Sequence, residues 1–172
     1  MRNLLTIEQI AKMHCGLFHC PMSQAGKLMP EIEFILQSAP CGYADHVVDA
    51  KVHMLMPGQY PCIPNWHFDF IPRDVEGQQD YSGIDLSQKM HLWVSGPPLT
   101  EFRTDRGEVN AIHPQSWVAF NQSDEHRGVA SEEFTWRLLI RIAPYSLCQP
   151  APQSAWLRKH SQVYLDAENF KW

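Results

Sequence analysis

From His46 to Ile142 the sequence is cut by turn formers into roughly eight short runs rich in β-branched and aromatic residues. Val47–Met56 stops at Pro57-Gly58, Asn65–Ile71 at Pro72, and Met90–Val94 at Gly96-Pro97-Pro98. Leu99–Arg103 and Glu108–Ile112 flank Asp105-Arg106-Gly107, a good hairpin turn. Ser116–Phe120, His126–Ala130 and Phe134–Ile142 follow. In the last run Phe134, Trp136, Leu138, Ile140 and Ile142 alternate with Thr135, Arg137, Leu139 and Arg141, the period of a strand. Strands at this density dictate a mainly-β fold, a sandwich or barrel. A jelly roll of two facing sheets is the most economical choice.

Helices are expected only at the flanks. Thr6-Ile-Glu-Gln9 is a capping box opening a short helix that ends near Gly16. Pro30 starts a second, to Gln37, with Ile32, Ile35 and Leu36 as its apolar stripe. Ser154 caps a C-terminal helix to about Leu165. The 172 residues read as one domain, 1–172, with N-terminal helices in 6–38 and a β core over about 46–143.

A net charge of −5 offers no basic footprint for non-specific nucleic-acid binding, yet leaves open a single base read in a pocket. Five cysteines, odd in number and without a C-x-x-C pair, suit a reducing compartment. His14 and His19, interleaved with Cys15 and Cys20, lack zinc-finger spacing. Glu8 and Lys12 stand where a signal peptide would be apolar, and no run approaches the roughly 18 apolar residues of a membrane span. The expectation is a soluble cytoplasmic protein.

Chemistry concentrates at Pro-Cys-Ile-Pro-Asn-Trp-His-Phe-Asp, residues 61–69. On a strand, His67 and Asp69 leave the same face. Two histidines and a carboxylate hold non-haem iron(II) with positions left open. His126, 57 residues after Asp69, begins a late strand and is the preferred third ligand. His53, His91 and His113 are rivals, but only His126 has an arginine at a fitting distance on the following strand. That arginine, Arg137, shares its face with Thr135, Leu139 and Arg141. A guanidinium facing inward needs an anion, and a carboxylate suits it. Arg141 is the alternative anchor. Cys62 is either a redox-sensitive thiol or, more commonly, a buried inert one.

This order of residues resembles the iron(II)/2-oxoglutarate-dependent dioxygenases: His67-x-Asp69, then His126, then Arg137 eleven residues on. The stretch Pro114-Gln-Ser-Trp-Val-Ala-Phe-Asn-Gln-Ser-Asp-Glu-His126 looks like that family's approach to its distal histidine. The resemblance runs from about Val47 to Ile142. It implies a double-stranded β-helix, a metal site at His67, Asp69 and His126, and a co-substrate carboxylate held by Arg137, with Thr135 supplying a nearby hydroxyl and Arg141 in reserve. It implies Fe(II) as cofactor, 2-oxoglutarate as co-substrate and a small molecule or modified base as substrate, in a chain that a homodimer would also accommodate. Trp66, Phe68, Trp93 and Trp117 are large enough to shield such a site. Two other classes stay open: a non-catalytic jelly-roll module for binding or assembly, and a cupin-like metalloenzyme that uses no 2-oxo acid.

Overall fold

The computed structural model describes residues 5–159 and 161–165. Its elements run α1 (Ile7–Ala11), β1 (Gly16–Pro21), α2 (Met22–Leu28), a 3₁₀ turn at Pro30–Ile32, α3 (Glu33–Leu36), β2 (His46–Leu55), β3 (Met90–Val94), β4 (Thr100–Arg103), β5 (Val109–Ala111), β6 (Val118–Phe120), β7 (Glu125–Gly128), β8 (Thr135–Pro144) and β9 (Leu157–Arg158). The architecture is mainly β, in two antiparallel sheets that do not close into a barrel. One has six strands in the order β6-β3-β8-β2-β1-β9; the other has three, β5-β4-β7.

The alternation of β8 makes it the centre of the larger sheet, between β2 and β3. Its two faces meet different partners. Leu138, Ile140 and Ile142 join Val48, Ala50 and Trp93 against Ile10, Met22, Ile32, Ile35 and Leu36 of the helical flank. Each such side chain contributes about 1.5–3 kcal/mol on full burial. Leu139 and Ala143 face the other way, with Val47, Leu92 and Val94, toward the three-stranded sheet. On that second face the register sets Asp49 opposite Arg141, Lys51 opposite Leu139 and His53 opposite Arg137. A strand with an apolar face to the helices thus carries charge on the face between the sheets.

Three expectations are corrected. Among the described residues no helix follows Ser154. Gln153–Ala155 is a 3₁₀ turn, and Leu157–Arg158 pairs with β1, because the segment has no helical apolar stripe and Trp156 is tied instead to Phe18 and Ala151 by hydrogen bonds. Asn65–Ile71 is no continuous strand. Prolines bound it and Phe70 takes a left-handed φ of 56°, so only the bridge His67–His126 forms. At the N-terminus, α1 stops at Ala11, where the helix was expected to run to about Gly16, and the chain goes on into β1 and α2. Gly16 starts β1 because its backbone lies directly on Ala50, leaving no room for a side chain. Among the described residues no helix is long and apolar enough to cross a membrane.

Candidate metal centre

β7 alternates strictly: His126 and Gly128 point inward and are buried, while Glu125 and Arg127 point out. His126 and His67 exchange both backbone hydrogen bonds, at 3.0 Å each, which locks the loop carrying His67 beside β7. Trp66 faces the opposite way. Its ring lies between the guanidinium groups of Arg103 and Arg127, at 4.7 and 4.6 Å, and these pair in turn with Glu125 and Glu101. The outer face of the small sheet therefore grips the residue next to His67. Past it, the turn at Phe70 is held by Gln122, whose amide donates to the Phe70 carbonyl at 2.7 Å. That turn brings Asp69 back toward the imidazoles.

The three side chains His67, Asp69 and His126 converge, with one ligand atom from each within 4.8 Å of the others. Asp69 Oδ2 lies 3.6 Å from His126 Nε2. Nδ1 of His67 faces the Asn65 carbonyl at 2.8 Å, and Nδ1 of His126 faces the Asp124 carbonyl at 3.2 Å. A carbonyl only accepts, so Nδ1 of each ring donates to it, and Nε2 is the nitrogen left for a metal. Metal-bound histidines are oriented in this way. Burial, then the neighbouring His126, lowers the His67 pKa, so the ring is neutral near pH 7. Burial pushes the Asp69 carboxyl up, but Arg141, then His126 and His67, outweigh it and hold Asp69 well below the usual carboxylate range. The donor set is two imidazoles and one carboxylate, which fits a divalent transition metal.

No protein-family model matches the chain, and no curated protein matches it.

The triad forms one wall of a cavity of about 90 Å³. Leu92, Phe120 and Leu139 line it with hydrocarbon; Lys51, Thr100 and Tyr164 add polar groups. The two arginines of β8 behave differently. Arg141 is fully engaged: Nη1 donates to Asp69 at 2.6 Å, while Nη2 and Nε donate to Asp49 at 2.6 and 3.2 Å. The backbone N–H of His19 donates to the same Asp49 at 2.8 Å. Arg137 is 0% exposed, yet only its Nη2 has a partner, the Thr100 hydroxyl at 2.7 Å; Nε and Nη1 have none among the described residues. Burial lowers its pKa to about 10, with Cys62 acting the other way, so it stays charged at neutral pH.

The remaining expected residues are spread out. Thr135 is buried opposite Leu55, off the cavity wall; the hydroxyl at Arg137 comes from Thr100. Of the rival histidines, His53 is buried across from Arg137 and off the cavity wall, while His91 shares its strand face with Trp93, toward the helices. His113 is exposed in its turn. Trp93 and Trp117 pack with the helical cluster, so neither shields the triad. Phe68 packs edge-on against Tyr81. The sequence reading missed Asp49, Lys51 and Thr100. The first two had a signal: Asp49, Lys51 and His53 alternate with Val48, Ala50 and Val52, a polar face inside an otherwise apolar strand.

Proposed function

We propose that this chain is a non-haem Fe(II)/2-oxoglutarate-dependent oxygenase acting on a small molecule or nucleobase-type substrate. One observation carries the proposal. A His/Asp/His donor set stands at one cavity wall, and a buried arginine with two unpartnered nitrogens stands behind another, joined to it by Thr100. An unpaired buried guanidinium costs several kcal/mol. A bound carboxylate removes that cost with paired hydrogen bonds.

In this reading His67, Asp69 and His126 hold the metal, which when bound supplies the activation of dioxygen for attack on a C–H bond. The protein's own part is positioning. Asn65 and Asp124 fix the imidazole tautomers. Arg141 keeps Asp69 ionised and aimed. Arg137 and Thr100 orient the far carboxylate of 2-oxoglutarate. Leu92, Phe120 and Leu139 keep water from the reacting atoms. The finer fold, a double-stranded β-helix, belongs to the same proposal and is supported by the two facing antiparallel sheets with ligands at their inner surface. Cytoplasmic residence is supported by five free cysteines.

The test is anaerobic addition of Fe(II) and 2-oxoglutarate to the purified protein, followed by visible absorption. The expected result is a weak band absent from either component alone, abolished in Asp69→Ala and needing at least about tenfold more 2-oxoglutarate in Arg137→Met. Bound iron without a band moves the assignment to a cupin-like enzyme; no bound iron moves it to a non-catalytic module.

A further inference from the structure

Lys51 lies on the charged inner face of β2, between Asp49 and His53. Its side chain lines the triad cavity and also a neighbouring cavity of about 70 Å³ bounded by Phe18, Asp49, Arg158 and Ser161. It therefore stands in the wall that the two cavities share. Both nearby carboxylates are committed to Arg141, at 2.6 Å each. No hydrogen bond or ion pair links the Lys51 ammonium to any described residue.

The charges on this face can be balanced. Arg141, Arg137 and Lys51 are cations, Lys51 with its pKa drawn below the usual lysine value by burial and then by Arg141; Asp49 and Asp69 are anions. His53, Cys62 and Tyr164, which border the same space, are neutral near pH 7. Burial holds the His53 pKa down at about 3 and raises the Cys62 and Tyr164 pKa values. One positive charge is left over. A divalent metal with a dianionic co-substrate adds nothing to that sum. The excess therefore persists in the loaded site, and Arg137 is by then paired.

We propose that Lys51 is a specificity-determining residue that selects a substrate bearing a single anionic group, such as a carboxylate, beside the metal. The inference rests on the oxygenase reading for the roles of the metal and Arg137. The neighbouring cavity gives the rest of such a substrate a place next to the ammonium. Its Phe18 wall is held rigid by its neighbours. The Phe18 ring carries Arg158 over its face at 3.5 Å and stacks on His19 at 3.9 Å.

The test uses the full chain loaded anaerobically with Zn(II) and 2-oxoglutarate. Matched pairs of small carboxylic acids and their primary amides are titrated by ligand-observed NMR. Wild type is expected to hold the acids at least about tenfold more tightly than the amides. Lys51→Met removes that preference and leaves metal and 2-oxoglutarate affinity unchanged, while Lys51→Arg restores it. Equal binding of acids and amides by wild type, or no binding of either, overturns the proposal. So does a preference that survives Lys51→Met. A loss of 2-oxoglutarate affinity in Lys51→Met also overturns it, because the lysine then serves the co-substrate. Failure of the oxygenase reading shows separately, as no uptake of Zn(II) or 2-oxoglutarate at the loading step. The acid-over-amide comparison then runs on the unloaded protein, where the same single positive charge is in excess and a preference lost in Lys51→Met still upholds the role of Lys51.

Discussion

His67 and His126 are bound to each other through their backbones, not only aimed at a common point. Each donates its N–H to the other's carbonyl at 3.0 Å, and their rings lie 4.3 Å apart at 54°. Two donor atoms from segments far apart in sequence are thereby fixed before any metal arrives. Preorganised ligands lose little entropy on binding.

Metal binding should consequently stabilise the fold without reorganising it. Mn(II) or Zn(II) is expected to raise Tm, and the rise should vanish in Asp69→Ala, His67→Ala and His126→Ala alike. At a metal concentration about a hundred times Kd the gain is about 2.7 kcal/mol. Differential scanning fluorimetry with and without chelator measures it. Unchanged melting in wild type on metal addition would rule out the triad as a metal site.

Trp66 grips the outside of the sheet that carries His126. Its two guanidinium contacts are partly exposed, so each is worth about 0.5–1 kcal/mol. Trp66→Ala is expected to cost roughly 1–2 kcal/mol in chemical denaturation. It should weaken metal binding more than that loss implies, because His67 is the next residue. Trp66→Phe should recover part of both. A metal affinity equal to wild type in Trp66→Ala would show that the backbone bridge to His126 alone places His67.

Much of this arrangement was legible in the sequence, for a physical reason. Where one strand is buried on both faces, as β8 is, side-chain parity is enforced by two cores, and the alternation from Phe134 to Ile142 correctly put Arg137 and Arg141 on one face. The bounds of β2, β3 and β5 were legible to within two residues because proline and glycine close them. Residues 65–71 were not. His67 and Asp69 do approach each other, but through a bridge, a left-handed Phe70 and a long-range ion pair, none of which local pattern encodes. The partition of roles between the two arginines was equally hidden. It depends on Asp49, a partner 92 residues away from Arg141. The expected C-terminal helix rested on a capping serine alone, without an apolar stripe to pay for its burial.

Arg141 joins two carboxylates, one buried at 3% exposure and one in the His67/Asp69/His126 cluster. Arg141→Met should destabilise the protein by about 3–5 kcal/mol, because it leaves two carboxylates unpaired in a poorly solvated place. Adding Asp49→Asn to that variant should return part of the loss, since the second change removes one orphaned charge. A double-mutant cycle by urea denaturation reads the coupling, expected at about 0.5–3 kcal/mol. Additive single losses would mean that the two residues do not act as a pair.

Gly128 limits how the 61–69 loop can sit. Its N–H donates to the Ile63 carbonyl at 2.7 Å, and an added Cβ would meet the Cys62 carbonyl oxygen at 2.5 Å, which is backbone and cannot rotate aside. Gly128→Ala should force the loop off β7 at a cost of about 1–3 kcal/mol and lower metal affinity, both measurable on one preparation. Wild-type affinity in that variant would show that the loop shifts without moving His67.

His53 supplies the pH dependence. Burial, then Arg137 and Lys51, hold its folded pKa at about 3, against 6.5 for an ordinary histidine. The folded protein therefore binds fewer protons at this site than the unfolded chain does. Stability rises with pH through the window from about 3 to 6.5, and is lost as pH falls through it. Each pH unit within the window is worth up to about 1.4 kcal/mol. Asp49 and Asp69, with lowered folded pKa values, add their own losses, which begin as pH nears the ordinary carboxylate value of 3.8 and continue below it. Between pH 6.5 and about 5 the His53 contribution is thus the largest, with smaller ones of the same sign from His19, His67 and His91. Urea denaturation across that interval should show a steep slope in wild type and a markedly flatter one in His53→Gln, even though the variant is less stable at pH 7. An equal slope in both would mean that His53 is hydrated and titrates normally in the folded protein.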